Sequence, residues 1–380
     1  MALCFGTRMN SGQGATIRFG TCITRRISGI ARGAMPVLLA VAAVAAFLPH
    51  TALAIEPPTW SRDVQPRQAN LEKRARQLLD GAARRWMQIG DMAADADLDR
   101  AIFAYRNARR MAPRDFWTAM ELMRLLRLNG DIRRAARVSR IAIRNATDDW
   151  HLSVALTHSG QLAQELGKHA DAREKLDRVV ALRTALLAAS RHSPVALDRD
   201  EAALDLAEAH SNVCSAELDG RAFARAIASC RSAIAVLQPR VDRALNITNP
   251  DAVPVDSRAN RRLLAFTYMR LGDALLASGH VTEARDAFAQ DVRLSRSLAS
   301  EAGGRSITAQ RDLSISLERM GDILAVEGRI EDAIARYVDS HRIAETLATA
   351  HPHDDALRKD LSITQRRLSE WQAELKTRGS

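Results

Sequence analysis

Aromatic residues are scarce in this sequence, and glycine and proline are sparse after residue 60. Phe, Trp and Tyr together make up 4% of the 380 residues. The alternation of polar and apolar residues that marks strands between turns is also absent. The chain is instead dominated by Ala, Leu and Arg, which are good helix formers. These features argue against a β-sheet fold and predict an all-α chain.

No motif in the sequence strongly supports catalysis or metal binding. There is no glycine-rich phosphate loop and no Gly-x-Ser-x-Gly elbow. His151, His158 and His169 do not sit four residues apart on one helix face, and no Cys/His cluster accompanies them. The HPHDD stretch at 351–355 fits a loop in which an Asp caps the next helix. We therefore expect no enzyme activity, no cofactor and no metal; an enzyme with an unrecognised site is the open alternative.

The formal charge of +10 is concentrated at the N-terminus. Residues 1–54 hold five of the 55 basic residues and none of the 45 acidic ones, which leaves a net charge near +5 for the rest of the chain. The arginine clusters at 106–110 and 133–134 have acidic residues nearby and are interpreted as solvated helix faces. No aromatic residues alternate with them, as base stacking requires. We expect no nucleic-acid partner.

The first 54 residues have the organisation of a secretory signal peptide. Arg residues precede a short apolar run at 37–48, and small residues follow it up to Ala54. The run is shorter than the roughly 20 residues that a membrane span needs. We expect cleavage after Ala54 and a periplasmic or secreted protein; an uncleaved inner-membrane anchor is the alternative. Twin arginines at 25–26 leave the export route open.

A helical motif repeats along the chain. The stretch MRLGDALLASGH at 269–280 returns 49 residues later as ERMGDILAVEGR at 318–329. Small residues spaced 12 apart, Gly272 with Ala284, let two helices approach closely, and Phe288 is expected to fill the space toward the next unit. Gly279 is expected to end the first helix in a left-handed backbone conformation. Such units bury their apolar faces only by stacking on their neighbours.

These motifs resemble the tetratricopeptide repeat (TPR) family, which spaces small, small and large residues in the same way. The stretches at 272–288 and 321–337 match closely, 160–176 matches with Gly160 and Leu176, and 101–113 matches the second half of a unit. The resemblance implies an all-α, right-handed superhelical array of antiparallel helix pairs, an α-solenoid. The repeat period grows from about 34 residues to 48–49, which predicts longer helices in the later units.

The expected organisation has five parts. Residues 1–54 are the leader and 55–70 a linker. TPR-like repeats follow at 71–240. Two Pro and several turn residues predict an irregular insertion at 241–257. Long-period repeats with a capping helix complete the chain at 258–376.

The resemblance also implies a concave groove that binds a segment of another protein. Its positions in this sequence are Thr157, Gln161, Gln164, Phe266, Met269, Asp273, Leu276, Ile315, Glu318 and Asp322. The three acidic residues among them favour a partner with basic and apolar character. The interpretation is a non-catalytic scaffold or adaptor of the bacterial cell envelope; the alternative is a membrane-tethered regulatory subunit of an envelope complex.

Two cysteines, Cys214 and Cys230, lie beyond the leader. In an exported protein they could form a disulfide. The alternative is that they are two small, buried apolar residues. Sequence alone leaves both open, and it leaves the oligomeric state open as well.

Overall fold

The computed structural model describes residues 59–191, 196–245, 257–301 and 305–378. The predicted signal peptide and residues 246–256 of the predicted insertion lie outside these ranges. The chain divides into two compact units, Met1–Glu72 and Lys73–Ser380. Of the first unit, the described part is the start of one helix. None of the helices in the described ranges has the length and apolarity needed to cross a membrane.

The described residues form thirteen helices. In chain order they are α1 Thr59–Ala93, α2 Leu98–Met111, α3 Phe116–Leu128, α4 Ile132–Asn145, α5 Asp149–Glu165, α6 His169–Ser190, α7 Ala196–Asp219, α8 Phe223–Leu245, α9 Ser257–Ala277, α10 Val281–Glu301, α11 Ile307–Val326, α12 Ile330–Ala350 and α13 Asp355–Arg378. They confirm the all-α fold and the longer helices of the later units: α3 has 13 residues and α9 has 21.

Two helices extend into segments that were expected to be irregular. Helix α1 begins at Thr59, inside the predicted linker. Helix α8 continues past Arg240 to Leu245, inside the predicted insertion. The extension of α8 has a packing reason, because Val241 is buried in a core cluster with Leu237 and Leu264.

Three-residue loops join the helices within each pair from α3–α4 onward. In all five loops the last N–H donates to a carbonyl five residues earlier, for example His280 to Leu275 at 2.9 Å. This is the Schellman arrangement, in which the middle residue has a left-handed backbone. Gly130, Gly167, Gly279 and Gly328 hold that position with φ of 70–81°. In the α7–α8 loop it is held by Arg221, with φ of 58°.

Glycines on one helix of a pair let a large side chain of the other helix pack against the backbone. We call these positions glycine notches. A Cβ added at Gly272 would lie 2.5 Å from the Phe288 ring, and one at Gly321 would lie 2.7 Å from the Tyr337 ring. Gly160 is covered by Leu176 in the same way. Each large side chain therefore fills the notch of its own pair. This is why a small residue is needed 16 positions before each of them.

The pairs stack so that the odd-numbered helices form one layer. Apart from neighbours in sequence, α5 contacts α7, α7 contacts α9, and α9 contacts α11. The core runs through the stack: Phe288 of α10 belongs to one buried cluster with Cys214 of α7 and Ile323 of α11. All the predicted groove positions are on helices of this layer, which we call the inner face.

Candidate functional site

Polar side chains join the successive odd-numbered helices of the inner face. We call this set of contacts the inner-face ladder. Its rungs are Arg127 to Gln161 and Glu165 (α3–α5), Gln161 to Asn212 and Gln164 to Asp219 (α5–α7), Arg270 to Asp219 (α7–α9), Arg319 to Asp273 (α9–α11) and Arg367 to Asp322 (α11–α13). Half of the predicted groove positions belong to this ladder or touch it.

The two predicted glutamines bind neighbouring helices. The Gln161 amide donates to Asn212 Oδ1 at 3.2 Å, and the Gln164 amide donates to Asp219 Oδ2 at 3.2 Å. Thr157 is buried, and its hydroxyl donates to the Ser153 carbonyl at 2.9 Å. The two glutamines therefore join neighbouring helices, whereas Thr157 bonds within its own helix and, being buried, does not face the groove.

The three predicted carboxylates have arginine partners within the chain. Asp273 lies 3.4 Å from Arg319, and Glu318 lies 3.7 Å from Arg367. Asp322 pairs with Arg367 and accepts a hydrogen bond from the Tyr337 hydroxyl at 2.8 Å.

Burial raises the pKa of Asp273 and of Glu318, and the nearby arginines oppose that rise. A carboxylate that is partly buried and already paired offers little free negative charge to a basic partner. The arginines beside these three carboxylates therefore reduce the negative charge that was expected to attract a basic partner.

An open pocket of about 560 Å³ lies between α9, α10 and α11. We call it the α9–α11 pocket. Three predicted groove residues line it, namely Phe266, Met269 and Ile315. Phe266 is 43% exposed and Ile315 is 40% exposed, which is high for such large apolar side chains. The fourth predicted apolar residue, Leu276, packs against the core instead.

The α9–α11 pocket also contains residues that the sequence did not single out. Leu263 and Leu298 extend its apolar wall. Arg262 and Asp312 also line it. They form an ion pair between α9 and α11, with 2.6 Å between Arg262 Nε and Asp312 Oδ2. The repeat could have indicated this ion pair. Arg262 aligns with Arg311 of the next unit, and Arg311 pairs with Asp360 in the same manner.

A buried carboxylate lies beneath this pocket. Ser316 and Ser295 line the pocket, and Ser316 donates to Ser295 at 3.1 Å. Ser295 in turn donates to Asp291 Oδ1 at 3.1 Å. Asp291 is 2% exposed, and its Oδ2 has no hydrogen-bond partner. Burial raises the pKa of Asp291 to about 7.

A second pocket, of about 490 Å³, lies on the inner face between α1, α3 and α5. Trp117, which is half exposed, lines it together with Met87 and Met120. The sequence analysis did not select these residues. Exposed Trp and flexible Met side chains are common at protein-binding surfaces.

The structure contains a disulfide between Cys214 and Cys230. Their Cα atoms are 5.2 Å apart, and the bond joins α7 to α8 within one pair. Both residues are fully buried. The covalent link thus spans the one loop in which Arg221, and not glycine, has the left-handed conformation.

Comparison with known proteins yields structural neighbours of low similarity. No protein-family model matches the chain, and no curated protein matches it significantly. Similar solved structures include BtubC from P. vanneervenii (17% identity, covering 73% of this chain and 94% of that chain, TM-score 0.47). They also include PilW, described as a type IV pilus biogenesis factor (13% identity, 73% and 98%, TM-score 0.44), and PilF of Pseudomonas aeruginosa (13% identity, 76% and 99%, TM-score 0.41).

The chain is an array of tetratricopeptide-like helix pairs. Its three-residue loops, glycine notches and layer of odd-numbered helices define this architecture. Similarities at these identities, with TM-scores below 0.5, transfer no function. What the array does has to be argued from its surfaces.

Proposed function

We propose that this protein is a non-catalytic scaffold that holds a segment of a partner protein on its inner face. The observation that carries the proposal is the α9–α11 pocket, which the large exposed apolar side chains of Phe266 and Ile315 line from two neighbouring helices of the inner face. Aromatic and methionine side chains, such as Phe266 and Met269 here, are enriched at protein–protein interfaces. Both residues are at positions that the TPR resemblance assigns to the groove.

The proposed partner segment carries an apolar anchor side chain. The wall of Leu263, Phe266 and Leu298 offers it an apolar environment. The basic character expected from the sequence has less support, because Asp273, Glu318 and Asp322 are paired with arginines. We therefore propose apolar contacts as the main source of affinity.

Site-specific photo-crosslinking tests this proposal. A photoreactive phenylalanine analogue is introduced at Phe266, and at Val338 of α12 as the control. The two positions are matched, since each is 43% exposed. We expect a discrete adduct from position 266 that disappears when Ile315→Asp is added. Equal adducts from both positions, or none from 266, would contradict an inner-face binding site.

We further propose that the protein works in the bacterial cell envelope after export. The support is the order of the leader: arginines, a short apolar run and small residues up to Ala54. The Cys214–Cys230 disulfide is consistent with an oxidising compartment. Intact mass of the protein from its native membrane fraction and soluble fraction is the test. A mature start near Ile55 supports export, whereas a retained leader supports the membrane-tethered regulatory subunit.

A further inference from the structure

Helices α2 and α4 carry an unusual density of arginine. Their sequences, LDRAIFAYRNARRM and IRRAARVSRIAIRN, contain nine Arg and a single acidic residue, Asp99. Both are even-numbered helices, and they lie outside the inner-face layer. From the sequence, these clusters were expected to be solvated helix faces with acidic residues nearby.

The structure brings five of these arginines into one groove of about 330 Å³. We call it the arginine groove. Its charged lining consists of Arg106, Arg109 and Arg110 of α2 with Arg134 and Arg137 of α4. Leu122 and Leu126 of α3 and Val138 and Ile141 of α4 supply its apolar lining. The two clusters are more than 20 residues apart in sequence and meet because successive helix pairs stack.

The groove is poorly neutralised. Arg134 pairs with its own N-cap Asp131 at 3.1 Å, and Arg110 donates to Asn107 at 3.2 Å. Within the described ranges, no carboxylate lies within 4.0 Å of Arg106, Arg109 or Arg137, and Arg109 Nε is buried without a hydrogen-bond partner. In the inner-face ladder, by contrast, Arg270, Arg319 and Arg367 each meet an acidic side chain.

The shape of the groove selects among anionic partners. Guanidinium groups stand on both walls, so a narrow segment with carboxylates on two sides meets more of them than a flat bilayer does. Arginine forks match carboxylates in bidentate geometry. The apolar lining offers a place for aliphatic side chains of the same segment. No aromatic side chain lines the groove for stacking on bases.

We propose that the arginine groove of α2 and α4 docks an acidic, amphipathic peptide segment of a partner protein. Its charged walls belong to the even-numbered helices, whereas the α9–α11 pocket is lined mainly by odd-numbered ones, and the groove stands independently of the function proposed for that pocket. Two sites on different layers let one array hold two partner segments at once.

Fluorescence anisotropy with the full chain tests the proposal. The probe is a short fluorescein-labelled peptide of Glu and Leu, and the control probe replaces every Glu by Gln. We expect binding of the Glu peptide that weakens as salt rises, because charge contacts on an exposed surface are screened. Binding of the Gln peptide with equal affinity, or no binding of the Glu peptide, overturns the proposal.

Matched variants locate the binding. R106Q/R137Q removes two groove charges, and R342Q/R366Q removes two charges from exposed arginines on α12 and α13. We expect R106Q/R137Q to lower the affinity for the Glu peptide by about tenfold or more. A tenfold loss of affinity corresponds to roughly 1.4 kcal/mol of binding free energy. The control pair should bind as the parent does, with circular dichroism showing both variants folded. Equal loss in both pairs overturns the assignment.

Two further probes separate the anionic alternatives. Vesicles of phosphatidylserine and phosphatidylcholine are tested by co-sedimentation, and a short duplex DNA by anisotropy. We expect R106Q/R137Q to reduce binding of the Glu peptide more than binding of the vesicles or of the DNA. If vesicles or DNA bind more tightly than the Glu peptide, and lose that binding in R106Q/R137Q, the groove serves a lipid surface or a nucleic acid instead.

Discussion

Replacing Asp291 by Asn should stabilise the region around α10 by an amount that grows as pH rises. Asp291 is 2% exposed, and burial raises its pKa from 3.8 to about 7. Nearby Asp312 and Asp273 add to that rise, whereas hydrogen bonds from Ser316 and Ser295 oppose it.

The sign follows from proton binding. Between about pH 4 and pH 7 the folded state keeps a proton that the unfolded state has lost, so stability falls as pH rises through this range. The full shift of about 3 units corresponds to roughly 4 kcal/mol. Most of it develops between about pH 5 and pH 8, where we expect a change of about 2.5 kcal/mol. An asparagine at this position cannot ionise, so the advantage of D291N over the parent should grow by that amount.

Hydrogen exchange of the α10 backbone amides is the suitable assay, because stability in a repeat array is a sum of local terms. Comparing variant and parent at the same pH cancels the intrinsic exchange rate and every other titrating group. D286N, on the exposed side of α10, controls for loss of a carboxylate. If the difference between D291N and the parent is the same at pH 5 and pH 8, Asp291 does not titrate as its burial requires.

Three other changes test the architecture. Gly272→Ala should lower the free energy of unfolding in urea by about 1–3 kcal/mol, because the added Cβ meets the Phe288 ring. Gly81→Ala is the control: Gly81 has open space around it, so this change should be neutral or stabilising. Arg221→Gly should stabilise by about 1 kcal/mol by relieving a left-handed backbone, and a lower melting temperature would contradict this. Reducing the Cys214–Cys230 bond, which closes a 16-residue separation, should cost about 3 kcal/mol, and C214A/C230A should melt equally with and without reductant.

The helix pairs were predictable because the residues that determine each pair lie within that pair. The residues that form the loop around Gly279 and the notch at Gly272 lie within 16 positions of one another. A local pattern that repeats can be recognised without knowing what the units pack against. Arg221 shows the limit of that approach, because the glycine one position earlier suggests the usual loop while the left-handed residue is the arginine.

The chemistry of the surfaces was harder to predict because it depends on contacts between units. Asp273 has Arg270 near it on its own helix, but its closer partner, Arg319, comes from the next pair. The arginine clusters were expected to be solvated helix faces with acidic residues nearby, yet Arg109 and Arg137 line one groove whose lining contains no acidic residue. Side-chain pairing across a stack depends on register, which residue spacing within one unit does not give.

The inner-face ladder also has a mechanical consequence. Its rungs act in series, so bending under load concentrates where the rung is weakest. Within the described chain, every junction of the ladder includes an arginine except α5–α7, which depends on Gln161 and Gln164 amides. A hydrogen bond with at least one ionised partner is about twice as strong as a neutral one, and Gln161–Asn212 is the ladder's one bond between two neutral side chains. The weakest single rung therefore lies between α5 and α7, where the Gln164–Asp219 and Trp150–Asp205 hydrogen bonds share the load with it.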